Sequence, residues 1–546
     1  MDWHGRKRFT LFDADYGDGS RCAALIAQWR ADPARSNQLH VIAVANDRMP
    51  GFHRMPQEDS AVTLDLIALP LADALAQLAA SLDAIRLHQA SGVNFARPLA
   101  RITALGAQLD GAGLDAAQIA ALQAQGFIFD GQHARFASRK PRLTTTHVPE
   151  QRAIVIGAGL AGSAVCERLC ARGWDVTLVE RHAAPAMEAS GNLAGIFMPL
   201  LSRDDNIPTR LTRAAYLYAL RYWDSLGGIG ASIEGAACGV LQLARDPAHA
   251  VVQRALASET AYPPQFAQWL ERQDAEALLG HPAPDGGWLF RQGGWARPGS
   301  VCDAMLAACG ARLTRIFDSG SVTLERAGAT WLVNNARGTT IASAATVILA
   351  NGPGARALAQ AATLPLSAVR GQVTHIDAAD APALPLVLCR EAYITPPSRA
   401  ICSFGASYDL DADPLLRTSS QAANLASIRD LLHDPAIGID APLRGRVGFR
   451  CVAPDRLPLV GRLPDVEAAG GRERLREVPR HPGLYGLLGY ASRGLIWAPL
   501  AAELLAAQLD GEPLPLPASL VDALDPARFV LRSRRMQQKP TDGHDF

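Results

Sequence analysis

The chain has 546 residues, 49% hydrophobic and 19% charged, with 53 basic side chains balanced by 53 acidic ones. That length is too great for one hydrophobic core and predicts three or four folding units, while the composition excludes a disordered or low-complexity chain. With a net charge of zero, a polyanionic partner must be met by local basic patches rather than by the field of the whole molecule.

The N-terminal MDWHGRKRF is basic, but no apolar run follows it, so it does not read as a secretory signal. Residues 1–135 alternate short strands (FTLFDA, LHVIAV) with Ala-rich helices (CAALIAQWR, PLADALAQLAASL), the pattern of an α/β domain. Its first strand runs into FTLFDADYGDGS, an acidic loop holding Gly17 and Gly19 that has the outline of a nucleotide site. Residues 136–151 are polar, carry two prolines and four basic residues, lack apolar periodicity and read as a linker.

From Ala153 the sequence AIVIGAGLAGSAVCERLCARGWDVTLVER predicts a complete βαβ unit. Gly157 permits the tight turn, Gly159 lets the backbone approach a pyrophosphate, and Gly162 lets helix and strand pack closely. The helix after them directs its positive end at the phosphates, and Glu180 closes the second strand where it can bond a ribose. Together these features predict dinucleotide binding, but the unit alone leaves NAD and FAD open. Cys166 and Cys170 lie one turn apart in this helix without further ligands nearby. All nine cysteines therefore read as buried thiols of a reducing compartment, with no metal site expected. Near the C-terminus, LLGYASRGLIWAPLAAELLAAQL is interrupted by Gly, Arg, Pro and Glu, so no membrane span and a cytoplasmic location are expected.

Five later stretches add more: ASGNLAGIFMPLLS (189–202), VILANGPGA (347–355), VRGQVTHI (369–376), GFRCVAPDRLPLVGRLP (448–464) and GYASRGLIWAPLAAELLA (489–506). Together they resemble the amine-oxidising flavoproteins related to glycine oxidase and D-amino-acid oxidase. More closely, they resemble the oxidoreductase half of the bifunctional tRNA 5-methylaminomethyl-2-thiouridine biosynthesis family. The resemblance covers about 390 residues and extends weakly into the first 145. It implies FAD as cofactor and tRNA with a carboxymethylaminomethyl wobble uridine as substrate. The flavin half would oxidise the C–N bond and release glyoxylate, and a fused half would methylate the resulting amine from S-adenosylmethionine.

The resemblance also implies a fold and roles for individual residues. It implies a Rossmann-like methyltransferase-type α/β domain at 1–135 and an oxidoreductase over 152–546 of the two-dinucleotide-binding type. The FAD-binding parts would be about 152–235, 295–365 and 446–510, with an α+β substrate subdomain at about 236–294 and 366–445. Gly157, Gly159, Gly162 and Glu180 would hold the ADP part of FAD. Ser190, Gly191 and Asn192 would lie near the pyrophosphate or the isoalloxazine, and Gly352 near the adenine side. Gly494 and Leu495 would face the pyrimidine edge of the flavin. Arg450 would bind the substrate carboxylate with its planar fork, assisted by Tyr393. Candidate tRNA phosphate contacts are Arg203, Arg210, Arg139, Lys140, Arg142, Arg532, Arg534 and Arg535. His375 is expected to be structural.

Against the same family, the first domain is degenerate. Asp15 and Asp18 stand in a loop that should be glycine-rich, the acid expected after the second strand is Ala45, and the expected Asp-Gly-Phe-x-Pro becomes His88-Gln-Ala-Ser-Gly. Methyl transfer is therefore expected to be lost, unless Asp13 or Asp47 replaces the missing acid. The domain would then serve as a tRNA-binding or scaffolding module. The alternative for the whole chain is an oxidase of free glycine, sarcosine or a similar amine.

Overall fold

The computed structural model describes residues 2–57, 59–88, 90, 92–138, 150–468, 470 and 472–531. The chain forms two compact units, one of residues 1–151 with 503–523, the other of 152–502 with 524–546. The sequence reading assigned 503–523 to the oxidoreductase, but these residues pack with the N-terminal unit. Arg54 forks onto Asp65 at 2.9 and 2.7 Å, reaches Glu503 at 2.7 Å and donates to the Pro513 carbonyl at 2.6 Å. All three charged side chains are buried, so removing Arg54 would take away the cation that both buried carboxylates share.

In the first unit, eight strands form one sheet in the order Gly51–Met55, Val62–Ala68, Gln38–Val44, Arg8–Asp13, Leu82–Arg86, Thr103–Asp110, His133–Phe136, Phe127–Asp130. The middle five run parallel and the edges antiparallel. Alternate residues of the central strands feed two cores. Leu11 and Val41 pack with Trp29 on one face, and Phe12 and Ile42 with Leu75 and Leu99 on the other. The chain leaves Arg8–Asp13 to one side and later returns to the other. The loop after Asp13 therefore opens at the topological switch point, where such sheets bind ligands.

The second unit contains a six-stranded sheet in the order Leu313–Ile316, Asp175–Val179, Arg152–Ile156, Thr346–Leu349, Arg480–Leu488, Leu459–Pro464. The first five strands are parallel. A second, eight-stranded sheet runs Gln268–Leu270, Gly287–Phe290, Val240–Leu243, Val387–Cys389, Tyr393–Ile394, Ile401–Gly405, Ser367–Asp377, Arg444–Val452. Helix Thr418–Leu432 covers one of its faces, burying Leu425 and Ile428 against Ile376, Phe404 and Leu388. The strand Arg444–Val452 pairs along most of Ser367–Asp377. Residues 446–452 thus belong to the eight-stranded sheet, whereas the sequence expectation places the start of a FAD-binding part at about 446. Among the described residues, no helix is long and apolar enough to cross a membrane.

Candidate functional site

The glycine-rich turn is built as its chemistry requires. Gly157 has φ 102°, and a Cβ there would lie 2.8 Å from the Ala350 carbonyl and the Asn351 Cα. A Cβ on Gly162 would overlap the Gly157 carbonyl, so helix Leu160–Cys170 can start only if that side chain is absent. Gly159 is the residue before the helix, and a Cβ on it would lie 3.0 Å from the Ser190 hydroxyl. Glu180 follows the strand Asp175–Val179 and is buried, its carboxylate accepting from Ala158 N at 2.7 Å and His182 N at 3.0 Å. That pins an acid beside the turn, at the end of the strand next to it.

Ser190, Gly191 and Asn192 come from a short turn folded over the start of the helix. The Ser190 Oγ accepts from Leu160 N at 3.1 Å, which leaves its own proton free for a phosphate oxygen. Arg446 clamps this segment, donating to the carbonyls of Met187 at 2.7 Å and Glu188 at 2.6 Å and to Asn192 Oδ1 at 3.3 Å. Gly352 opens the turn after Thr346–Leu349 with φ 56° and faces Cys451. Gly494 begins helix Gly494–Asp510, and a Cβ on it would lie 3.2 Å from the Leu160 side chain, so the N-termini of two helices converge here. Leu495 packs on Gly195. Two buried polar atoms around this cradle, Asn351 Oδ1 and the Tyr490 hydroxyl, have no partner among the described residues. A glycine cradle, two helix ends, a pinned acid and orphaned polar atoms fit a dinucleotide with a polar ring system, which is FAD chemistry.

Strand register places the substrate candidates on one face of the eight-stranded sheet, the face opposite helix Thr418–Leu432. Arg450 pairs with Val369, Gly448 with Gly371, Arg446 with Val373, Tyr393 with Gly405 and Cys389 with Tyr393. The Arg450 guanidinium lies over Gly371, where a Cβ would overlap it. Among the described residues only its Nη1 has acceptors, the carbonyls of Ser407 at 3.1 Å and Arg370 at 3.4 Å. Among the described residues it forms no ion pair. Burial pulls the guanidinium below its usual range, opposed by Tyr393, Tyr408 and Asp409. Burial also pushes the Tyr393 phenol up to about 12, with Arg450 pulling the other way, so Tyr393 stays protonated and can donate near neutral pH.

Arg446, Arg493, Tyr490 and Cys389 were missed by sequence reasoning. Arg493 and Tyr490 lie inside the GYASRGL stretch already singled out, so the motif carried the signal. Burial lowers the Arg493 guanidinium, and Cys389 opposes this. His375 is buried with Nε2 unpartnered, and burial together with Arg444 and Arg446 lowers it to about 4, leaving it neutral. Of the tRNA candidates, Arg203 is committed to Glu259 through two 2.8 Å hydrogen bonds, and the buried Nε of Arg210 has no partner. Arg139, Lys140, Arg142, Arg532, Arg534 and Arg535 lie outside the described residues.

The loop at the switch point of the first unit is closed upon itself. Asp15 accepts from Gly17 N at 3.0 Å and pairs with Arg21 at 3.0 Å. Asp18 accepts from Ser20 N at 2.9 Å and from its hydroxyl at 2.6 Å, which holds the carboxyl below its usual range. Gly19 N donates to the Tyr16 carbonyl at 3.1 Å, and the Tyr16 hydroxyl stands 2.5 Å from where a Gly19 Cβ would be. The amides of Gly17, Gly19 and Ser20 therefore already have acceptors. Asp13 is buried, its carboxyl raised by burial and flanked by Arg21 and Arg86 at 3.9 Å each. Ala45 supplies no ribose acceptor, and Asp47 is exposed two residues beyond it. These residues do not fit S-adenosylmethionine.

The model of the FAD dependent oxidoreductase family, DAO, matches residues 152–508. The second unit is also similar to the crystal structures of glycine oxidase from Geobacillus kaustophilus and L-proline dehydrogenase from P. horikoshii. For the first, the TM-score is 0.58 at 20% identity over 69% of this chain and 99% of that one. For the second, it is 0.56 at 15% identity over 70% and 98%. At these identities the likeness is one of fold. The tRNA 5-methylaminomethyl-2-thiouridine biosynthesis bifunctional protein MnmC of Azoarcus sp. (strain BH72) is 39% identical over 583 residues, covering 98% of this chain and 92% of the relative. The protein of the same name from Burkholderia thailandensis is 39% identical over 603 residues with the same coverage. Both alignments are longer than the 546 residues of this chain, so the relatives carry residues that it lacks. An FAD cradle in a DAO fold, joined to a methyltransferase-type sheet and matched over 98% of the chain, places this protein in the MnmC family of FAD-dependent oxidoreductases.

Proposed function

We propose that the chain acts on tRNA, oxidatively removing the carboxymethyl group from 5-carboxymethylaminomethyl-2-thiouridine at the wobble position. The products would be 5-aminomethyl-2-thiouridine and glyoxylate. The observation that carries this reading is Arg450, a largely buried guanidinium that has no carboxylate partner among the described residues, beside a Tyr393 hydroxyl that likewise has no partner among them. A buried cation left open in this way is matched by the carboxylate of a substrate.

Bound FAD supplies the two-electron acceptor. The fork of Arg450 anchors the carboxylate, and Tyr393 donates a hydrogen bond to it. The anchored arm is thereby held at one angle, which removes much of the entropic part of the barrier. The buried cation Arg450 favours the neutral form of the secondary amine, as the reaction requires. Two electrons and a proton leave the α-carbon as hydride, the nitrogen loses a proton, and a C=N bond forms. Water adds to that bond, the C–N bond breaks, and glyoxylate separates from the primary amine. No side chain need act as general base, in keeping with a neutral, buried His375.

We propose also that methyl transfer is absent from this chain, because the first-unit loop satisfies its own amides with Asp15 and Asp18. The free-amine alternative is not favoured, since the MnmC relatives match 98% of the chain, first unit included. Anaerobic mixing tests the reading. The flavin absorbance of the holoenzyme should bleach with tRNA bearing the carboxymethylaminomethyl group and stay unchanged with free glycine or sarcosine. Bleaching by glycine but not by the tRNA would overturn it.

A further inference from the structure

The face that carries the carboxylate anchor also presents an aromatic ring that oxidation of the arm does not itself require. Tyr408 is 53% exposed, although the guanidinium carbons of Arg450 and Arg456 lie 5.7 and 6.0 Å from its ring centroid. Among the described residues Arg456 forms no ion pair. The loop bearing Tyr408 is held firmly. Arg370 and Asp409 exchange backbone hydrogen bonds of 2.8 and 3.0 Å, and the Arg370 guanidinium reaches the carbonyls of Asp413 at 2.8 Å and Leu415 at 2.6 Å. Arg417 forks onto Asp411 at 2.9 and 2.7 Å. A ring fixed in this way is presented to solvent in one orientation, so little ordering is left to be done on binding.

A half-exposed aromatic ring with two cations nearby suits a planar π-system attached to a polyanion, which is the chemistry of an unpaired nucleobase. The reach agrees. Four bonds separate the uracil ring from the carboxylate carbon of its arm, about 5 Å when extended. This is close to the 5.7 Å between the Arg450 guanidinium and the Tyr408 ring. We infer that Tyr408 is the platform on which the wobble uracil stacks while Arg450 holds the carboxylate of its arm. The inference rests on the tRNA reading above and deepens it, since a free amino acid offers no ring to stack and gains nothing from Tyr408.

The test uses the full-length holoenzyme, as wild type, Tyr408→Ala and Tyr408→Phe. Kinetics are read with tRNA bearing 5-carboxymethylaminomethyl-2-thiouridine, and the Kd of acetate is read from its perturbation of the flavin spectrum. Acetate can reach Arg450 but carries no base. Tyr408→Ala should raise KM for the tRNA between about 5- and 150-fold, with kcat within about twofold. Its acetate Kd should be unchanged, and Tyr408→Phe should restore KM. A wild-type KM in Tyr408→Ala would overturn the inference. Acetate binding weakened by the same factor as the tRNA would also overturn it, because Tyr408 would then only support Arg450. If the wild type itself fails to convert the tRNA, the functional reading falls first, before any variant is compared.

Discussion

Arg370 and Arg450 lie on neighbouring strands of one sheet and have opposite fates. Arg370 is fully buried and directs its donors to Asp409, Gln372 and two backbone carbonyls, which makes it a brace for the 406–417 loop. Arg450 gives one nitrogen to two carbonyls and keeps the rest of its fork unused. Charge-assisted hydrogen bonds contribute about 1.5–3 kcal/mol each. Arg450→Lys, which keeps the charge and loses the fork, should therefore raise KM for the modified tRNA roughly 10- to 100-fold with the flavin spectrum intact. Steady-state kinetics with an unchanged KM would remove Arg450 from the site. At this scale the sequence carried the motif residues well, because GFRCVAPD and the glycine turn have recognisable spacing. It did not carry Arg446, since nothing in RGRVGFR says which arginine meets a segment some 250 residues earlier.

The substrate sheet works as an element because its two faces differ. Ile376, Phe404 and Leu388 form a core under helix Thr418–Leu432, whereas on the other face Gly371 leaves room for the Arg450 guanidinium and Gly448 for that of Arg446. The β-rich stretches at 369–376, 386–394 and 400–407 were legible as strands from their apolar and β-branched content. The membership of Arg444–Val452 was not, because pairing with Ser367–Asp377 is decided by register and not by order along the chain. His375 on the ligand face gives this element a pH dependence. The histidine is held at about 4 in the fold, while an unfolded chain protonates it near 6.5, so the unfolded state takes up the proton first. Stability should thus fall as pH drops from about 6.5 towards about 4, by on the order of 2 kcal/mol at about pH 5. Thermal unfolding of wild type and His375→Gln at the two pH extremes checks this. The acid loss should shrink in the variant, and an equal loss in both would refute it.

At the scale of the molecule, two dinucleotide-type sheets occur in one chain, and only one retains an open ligand turn. The acids that made FTLFDADYGDGS look unlike a cofactor loop prove to be its internal ligands, with Asp15 on Gly17 N and Asp18 on Ser20 N. Loss of room could be read from residue type alone, but the self-satisfied amides needed coordinates. The return of 503–523 to the first unit was likewise invisible, because Arg54 and Glu503 are 449 residues apart in sequence. The central claim, oxidation without methylation, is tested most directly by nucleoside mass analysis. Purified holoenzyme is incubated with tRNA bearing 5-carboxymethylaminomethyl-2-thiouridine, with and without S-adenosylmethionine, and the nucleosides are weighed. 5-Aminomethyl-2-thiouridine is expected in both samples. A methylated nucleoside in the sample with S-adenosylmethionine, or an unchanged nucleoside in both, would contradict the claim.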